Sequence, residues 1–210
     1  MIVFLIVLFA ITLIYISKTE RFRTYLNLIA LQGVLLFLIS FVSIFGSASI
    51  SNLIFIIFET LLFKAIVIPL LLKHIISKIK ISRVHEKSLP SFYSLIFISF
   101  GLLISVIISQ YFKSEKIEAL YFSISVFTLF TGLFLIVSHK KIFSHMIGFL
   151  VIENAVFLLS LAVGLEMPLL INLAIFIDII VSVLILGLFI NKMSAVIEDV
   201  NSEELSMLKD

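Results

Sequence analysis

Hydrophobic positions in this chain run in long unbroken stretches and do not alternate with polar ones. The stretches are Ile2 to Ser17, Thr24 to Phe45, Asn52 to Leu72, Ser91 to Phe112, Ala119 to Ser138, Met146 to Val163 and Pro168 to Ile190. Most are near the length of about 20 residues at which a helix crosses a hydrocarbon core of about 30 Å. Barrel strands would show period-two alternation, which is absent. The pattern predicts an all-α integral membrane protein with about seven transmembrane helices.

The breaks between stretches are marked by charge or by small residues. Lys18–Arg23 ends the first, and Gly46–Ser51 is a small-residue turn. Lys73–Pro90 is the longest loop and the most basic, Lys113–Glu118 is short and mixed, and His139–His145 is basic. Gly164–Met167 reads as a tight turn before Pro168, which suits a first helical position because its missing N–H has no partner to lose there. The tail after Lys192 is acidic, with Val196, Val200, Leu205 and Leu208 at helical spacing.

Composition agrees with a lipid solvent. Of 210 residues, 62% are hydrophobic and 13% charged, and the mean hydropathy is +1.30. A water-soluble domain of this size has too little interior to hide that many apolar side chains. The first stretch lacks the basic start and small-residue cleavage site of a signal peptide, so it reads as a membrane helix. With no cysteine, the chain itself forms no disulfide, cysteine-held iron–sulfur cluster or c-type haem attachment. A net charge of +2 gives no reason to expect a nucleic-acid partner.

Lysine and arginine set the orientation. In a seven-span chain, the side holding the N-terminus has only Lys113 and Lys116, while the opposite side holds twelve basic residues, from Lys18 to Lys209. The expectation is an outside N-terminus and a cytoplasmic C-terminus. Dropping any one span would scramble this asymmetry.

The candidate chemistry lies inside the spans. Glu59 and Lys64 fall in the third, Glu153 in the sixth and Asp178 in the seventh. A charge at a helix centre costs roughly 2.5–3.5 kcal/mol on insertion scales, so each should face protein or water. At about 1.5 Å per residue, Glu153 and Asp178 sit roughly 15 Å from the outer boundary, Glu59 roughly 10 Å and Lys64 roughly 18 Å. Residues at matched depth that can take up and release protons suggest a proton or ion path. The competing reading is a set of buried polar groups that pin helices together or pair with a neighbouring subunit. Regular α-winding would separate Glu59 and Lys64 by about 140°, too far for a same-face pair. Pro69 predicts a break in the third helix just below Lys64. His139 and His145, at the basic end, are candidates to feed protons into the sixth helix, whereas Asn154 and Asn172 suit hydrogen bonds across helices. No nucleotide loop, metal-ligand cluster or nucleophile motif is present in the sequence, so no catalytic centre is expected in this chain.

Three segments together resemble one family. They are FETLLFKAIVIPLLLKHI from Phe58 to Ile75, the pair IGFLVIENAVFLLSLA and PLLINLAIFIDIIVSVLILGLF between Ser138 and Met193, and the tail IEDVNSEELSMLKD. The pattern is similar to hydrogenase-4 component E, a membrane subunit of group 4 nickel–iron hydrogenases, including formate hydrogenlyase-type complexes. The C-terminal half of that family is in turn similar to the K subunit of complex I and the C subunit of multisubunit sodium/proton antiporters, which carry membrane carboxylates in their second and third helices.

The resemblance implies a three-helix ion-path unit at 119–190, an N-terminal four-helix extension at 1–112 and a cytoplasmic acidic tail at 191–210. It maps the two carboxylates onto Glu153 and Asp178, the latter one methylene shorter than the glutamate of the complex I pattern. It further implies antiporter-like subunits and the hydrogenase membrane anchor as partners, and H⁺ or Na⁺ as the ion. The nickel–iron centre and iron–sulfur clusters would lie in other chains, with no cofactor in this one, and the location would be the cell inner (plasma) membrane. A purely structural subunit and a stand-alone secondary transporter are the alternatives.

Overall fold

The computed structural model describes residues 1–19, 21–44, 54, 56–79, 91–112, 118–139 and 142–164, together with the single positions 177, 181, 184 and 187. Among these residues there is no β-sheet, only single bridge positions at Arg21 and His139. Six helices carry the fold: α1 (Ile2–Lys18), α2 (Phe22–Ile44), α3 (a π-helical Ile57–Val67 continuing as α-helical Ile68–Ile79), α4 (Ser91–Tyr111), α5 (Ala119–Ser138) and α6 (Ile142–Gly164). Four regions, Arg23–Ser43, Phe92–Tyr111, Ala119–Ser138 and Ser144–Val163, are long and apolar enough to cross a membrane. The chain is an all-α membrane protein by this measure. The seventh predicted span lies outside the described residues, apart from helical backbone at Ile177, Val181, Leu184 and Gly187.

α5 and α6 form the tightest pair, an antiparallel hairpin in which the Glu118 N–H donates to the Ala162 carbonyl at 3.1 Å. α1 packs on α2, α4 and α5, while α2 packs on α1, α3 and α6. α6 is therefore central, with 72% of its span buried, and α4 is peripheral, with 28% buried.

The inward face of α4 is made of Ser94, Ile98, Gly101, Ser105 and Ser109, while Phe92, Phe97, Phe100, Leu103 and Ile107 point outward. A helix in water places its large apolar residues inside. Here small residues let the backbones approach and bulky ones meet lipid, as expected where burial from water no longer drives helix association.

Hydrogen bonds place the helix ends on two levels. At one level the Tyr25 hydroxyl donates to the Thr19 carbonyl and also meets His139 Nε2. At the other, Ser43 pairs with Tyr121 at 2.9 Å, near the Glu118–Ala162 contact. α1, α2, α5 and α6 thus run in alternating directions, as repeated crossing of a bilayer requires.

Three expectations need correction. α3 does not stop at Leu72 but continues to Ile79. After Leu72 the sequence mixes Lys73, Ser77 and Lys78 with isoleucines, and such an amphipathic stretch can leave the apolar layer without unwinding. α6 begins at Ile142, so much of the expected His139–His145 loop is helix. The third correction concerns winding. Residues 57–67 are π-helical, with α-winding resuming at Ile68. In a π-ladder residues five apart stack on successive turns, so the backbone positions of Glu59 and Lys64 fall near one face, not 140° apart. The Ile68 N–H still donates in this register, to Phe63. Pro69 comes next and has no N–H to give, so the π-ladder ends there. The irregularity expected at Pro69 is therefore a change of winding.

Candidate functional site

Among the described residues, the buried stripe of α3 is Ile56, Thr60, Lys64, Ile68 and Leu72, and Lys64 is the ionisable one of these five. Lys64 is 4% exposed. It reaches this depth because α2 lets α3 come very close. A Cβ on Gly33 would lie 2.7 Å from the Ala65 nitrogen and 3.0 Å from the Lys64 carbonyl carbon. Glycine is thus required by the approach of one backbone to another.

From Lys64 a chain of hydrogen bonds crosses the bundle. Lys64 Nζ donates to Asn154 Oδ1 at 3.4 Å. Asn154 Nδ2 donates to Gln32 Oε1 at 3.1 Å. Gln32 Nε2 donates to Thr12 Oγ1 at 3.1 Å, and the Thr12 hydroxyl donates to the Phe9 carbonyl at 2.6 Å. Four helices, α3, α6, α2 and α1, each contribute one side chain, and all four side chains are buried. The Lys64 ammonium also lies 5.4 Å from the centroid of the Phe157 ring, one turn along α6 from Asn154, close enough for cation–π attraction.

The depths agree because the helices alternate in direction. Thr12 is ten residues into α1, Gln32 ten into α2, and Asn154 ten before the end of α6. At about 1.5 Å per residue each lies roughly 15 Å along its helix. The layer is therefore near the middle of the bundle.

Glu153, adjacent to Asn154, is 5% exposed. Lys64 and Glu153 thus fall in the same central layer, as their spacing in the sequence suggested. The side chain of Glu59 and all of Asp178 lie outside the described residues.

A second polar group sits at the basic end. His139 is 3% exposed. Its Nδ1 lies 2.9 Å from Ser138 Oγ and 3.1 Å from the Leu135 carbonyl, and its Nε2 lies 3.4 Å from the Tyr25 hydroxyl. His145 Nε2 donates to the His139 carbonyl at 2.6 Å. The two histidines are therefore linked, and His139, at the end of α5, is a buried member of a helix junction. Between this group and the central layer, α2 presents Leu28 and Ile29, both buried.

Sequence reasoning missed Gln32 and Thr12. The detectable signal was depth, since Gln32 is an amide at the centre of an apolar span. Attention to formal charge passed over it.

A cavity of about 150 Å³ between α1, α4 and α5 is lined by residues such as Ile6, Ala10, Leu102, Ser105, Ile124 and Phe127, with no ionisable side chain. It is separate from the polar chain. Among the described residues no cluster of His, Asp and Glu could hold a metal ion. No family model, no curated protein and no solved structure matches this chain.

Proposed function

We propose that this chain is a non-catalytic membrane subunit of an ion-translocating, hydrogenase-type complex, with its N-terminus outside and its C-terminus in the cytoplasm. It contributes Glu153, Asp178, Lys64 and Glu59 to a proton or sodium path and bridges antiporter-like subunits. The hydrogenase assignment rests on the resemblance of the lysine–proline helix, the glutamate and aspartate helices and the acidic tail. The orientation rests on the asymmetry of lysine and arginine.

The ion-path reading is supported above all by the placing of Lys64. A lysine buried at mid-bundle, bonded to the neighbour of a buried glutamate, is costly in lipid and is usually kept for charge movement. A structural role is the second reading, favoured by a specific feature: the polar chain ties four helices together, which alone can fix their packing.

Proton uptake by assembled complexes in liposomes, normalised to assembled protein, separates the two. Glu153→Gln and Asp178→Asn keep size and hydrogen bonding but cannot ionise. The ion-path reading expects each to assemble and lose most coupled transport, with the double variant little worse than the worse single one, because steps in series are not additive. Full pumping by the double variant, or loss of assembly in place of transport, favours the structural role.

A further inference from the structure

We infer that Gln32 and Thr12, on the two N-terminal helices, are positioning residues for Lys64; their effect on transport, though not their effect on Lys64 itself, rests on the ion-path reading above. Donor and acceptor roles fix the direction of every bond in the chain. A lysine ammonium only donates, and a backbone carbonyl only accepts. Lys64 stands at one end of the chain and the Phe9 carbonyl at the other. Each group between them then has one usable orientation. Asn154 must turn its oxygen to Lys64, so its NH₂ faces Gln32. Gln32 must answer with its oxygen, so its NH₂ faces Thr12. Thr12 accepts from Gln32 and gives its proton to Phe9. Turning over either amide sets donor against donor at one link and acceptor against acceptor at the other.

An amide is nearly symmetric in shape, so packing alone does not choose between its two orientations. At Asn154 the ammonium requires the oxygen, and Gln32 anchors the amide in that orientation by accepting from its NH₂. Thr12 in turn makes the choice for Gln32, because its own hydroxyl is committed to Phe9 at 2.6 Å. Without Gln32, the buried Asn154 NH₂ loses its acceptor, the side chain is held at one end only, and the ammonium on its flexible four-carbon stem loses a fixed acceptor.

The amides are not themselves conductors, since a proton passing through them would require an amide nitrogen to give up its hydrogen. Conduction in this layer therefore falls to Lys64 and to carboxylates such as Glu153, while Gln32 and Thr12 hold the geometry. The burial of both residues, 0% and 5% exposed, keeps water from substituting for either bond.

The test uses the full chain. In the purified protein, reconstituted in lipid and labelled with ¹⁵N at lysine Nζ, the Lys64 resonance is assigned by its loss in Lys64→Gln. Gln32→Leu and Thr12→Val should each shift or broaden that resonance, whereas Thr12→Ser, which keeps the hydroxyl, should leave it in place. An unchanged Lys64 signal in both Gln32→Leu and Thr12→Val overturns the inference. Should Gln32→Leu fold poorly, Thr12→Val, which matches threonine in shape and lacks the hydroxyl, carries the test.

Transport is measured on assembled complexes in liposomes. Gln32→Leu should lower it roughly tenfold, the loss associated with a bond in a network around a charge. It should have no further effect when Lys64→Gln is already present. Normal transport by Gln32→Leu alongside a dead Lys64→Gln overturns the positioning role. Normal transport by Lys64→Gln ends the ion-path reading instead, and the Lys64 resonance then still decides whether Gln32 and Thr12 position the ammonium.

Discussion

The α5–α6 crossing and the α2–α3 crossing both close on glycine, but what each encloses differs. At the first, Gly132 and Gly148 face one another. A Cβ on Gly132 would lie 2.8 Å from the Gly148 carbonyl oxygen, and one on Gly148 would lie 2.9 Å from the Gly132 carbonyl oxygen. Each is the second small residue of a spaced pair, Thr128 with Gly132 and Ser144 with Gly148, the arrangement that lets membrane helices pack backbone to backbone. At the second crossing a single glycine, Gly33, meets a π-wound backbone at Lys64 and Ala65. The first contact is reciprocal and encloses no charge, and it holds a hairpin. The second is one-sided and sets the depth of a charge. Small residues in this bundle therefore serve two ends, rigidity in the C-terminal hairpin and placement of Lys64 in the N-terminal half.

That contrast can be broken most severely at the hairpin. Gly132→Val would drive a branched side chain against the Gly148 carbonyl oxygen and Ile152 at once. Backbone cannot rotate away, and overpacking of a closed interface costs about 3 kcal/mol or more at the upper end of its range. Thermal unfolding of the purified protein in lipid nanodiscs should show a larger loss for Gly132→Val than for a substitution at Gly33 or Gly101. Stability close to that of the unsubstituted chain would mean that α5 and α6 can separate without cost, and the distinction between the two crossings would fail.

Gly33→Ala should cost less, roughly 1–3 kcal/mol, because only one side of the contact is closed. Its signature should be different in kind. The added methyl meets Ala65 backbone atoms at 2.7 and 2.9 Å, so α3 must move away from α2 and carry Lys64 from Asn154. The Lys64 ammonium signal should change in Gly33→Ala and stay unchanged in a hairpin variant of equal stability, such as Gly148→Ala. Equal changes in both would show that the α2–α3 crossing has no special hold on the lysine.

Much of the architecture was legible because lipid imposes a simple rule on sequence. Helices α1 to α6 fall on the first six apolar stretches, and boundaries lie at Lys18–Arg23 and at Glu118 as expected, while α3 runs on to Ile79. The burial of Lys64 and Glu153 followed from the cost of charge in hydrocarbon. The π-winding of residues 57–67 was not legible, because a stripe spaced by four, Ile56 to Leu72, is compatible with either winding. The roles of Gln32 and Thr12 were not legible either. Their value depends on α1, α2 and α6 meeting at one depth, a property of helix register that no single segment encodes. The burial of His139 was not legible for a related reason: it stands at a helix end in a basic segment, and the Tyr25 hydroxyl that meets it comes from α2.

The smallest effect is expected where the approach is closest. A Cβ on Gly101 of α4 would lie 2.1 Å from Phe130 Cδ1 and 2.3 Å from Cε1, nearer than any contact at Gly33 or Gly132. Distance alone would rank Gly101→Ala as the worst substitution. The atoms it meets, however, belong to a side chain, and Phe130 is only partly buried on α5. A turn about its first side-chain torsion can carry the ring toward lipid, at a cost on the order of 0.5–1.5 kcal/mol for an unfavourable rotamer. α4 is also the least buried of the four long apolar helices among the described residues, so little else must move with it. Gly101→Ala should therefore lower stability by about 1 kcal/mol, less than Gly33→Ala despite the shorter distance. Phe130→Leu removes most of the obstructing ring, and Gly101→Ala made in that background should cost almost nothing, since the two residues act through a single contact. A large loss that persists with Phe130→Leu would place the obstruction in the α4–α5 backbones. Gly101 would then belong with Gly132 among the glycines that set how closely two helices approach.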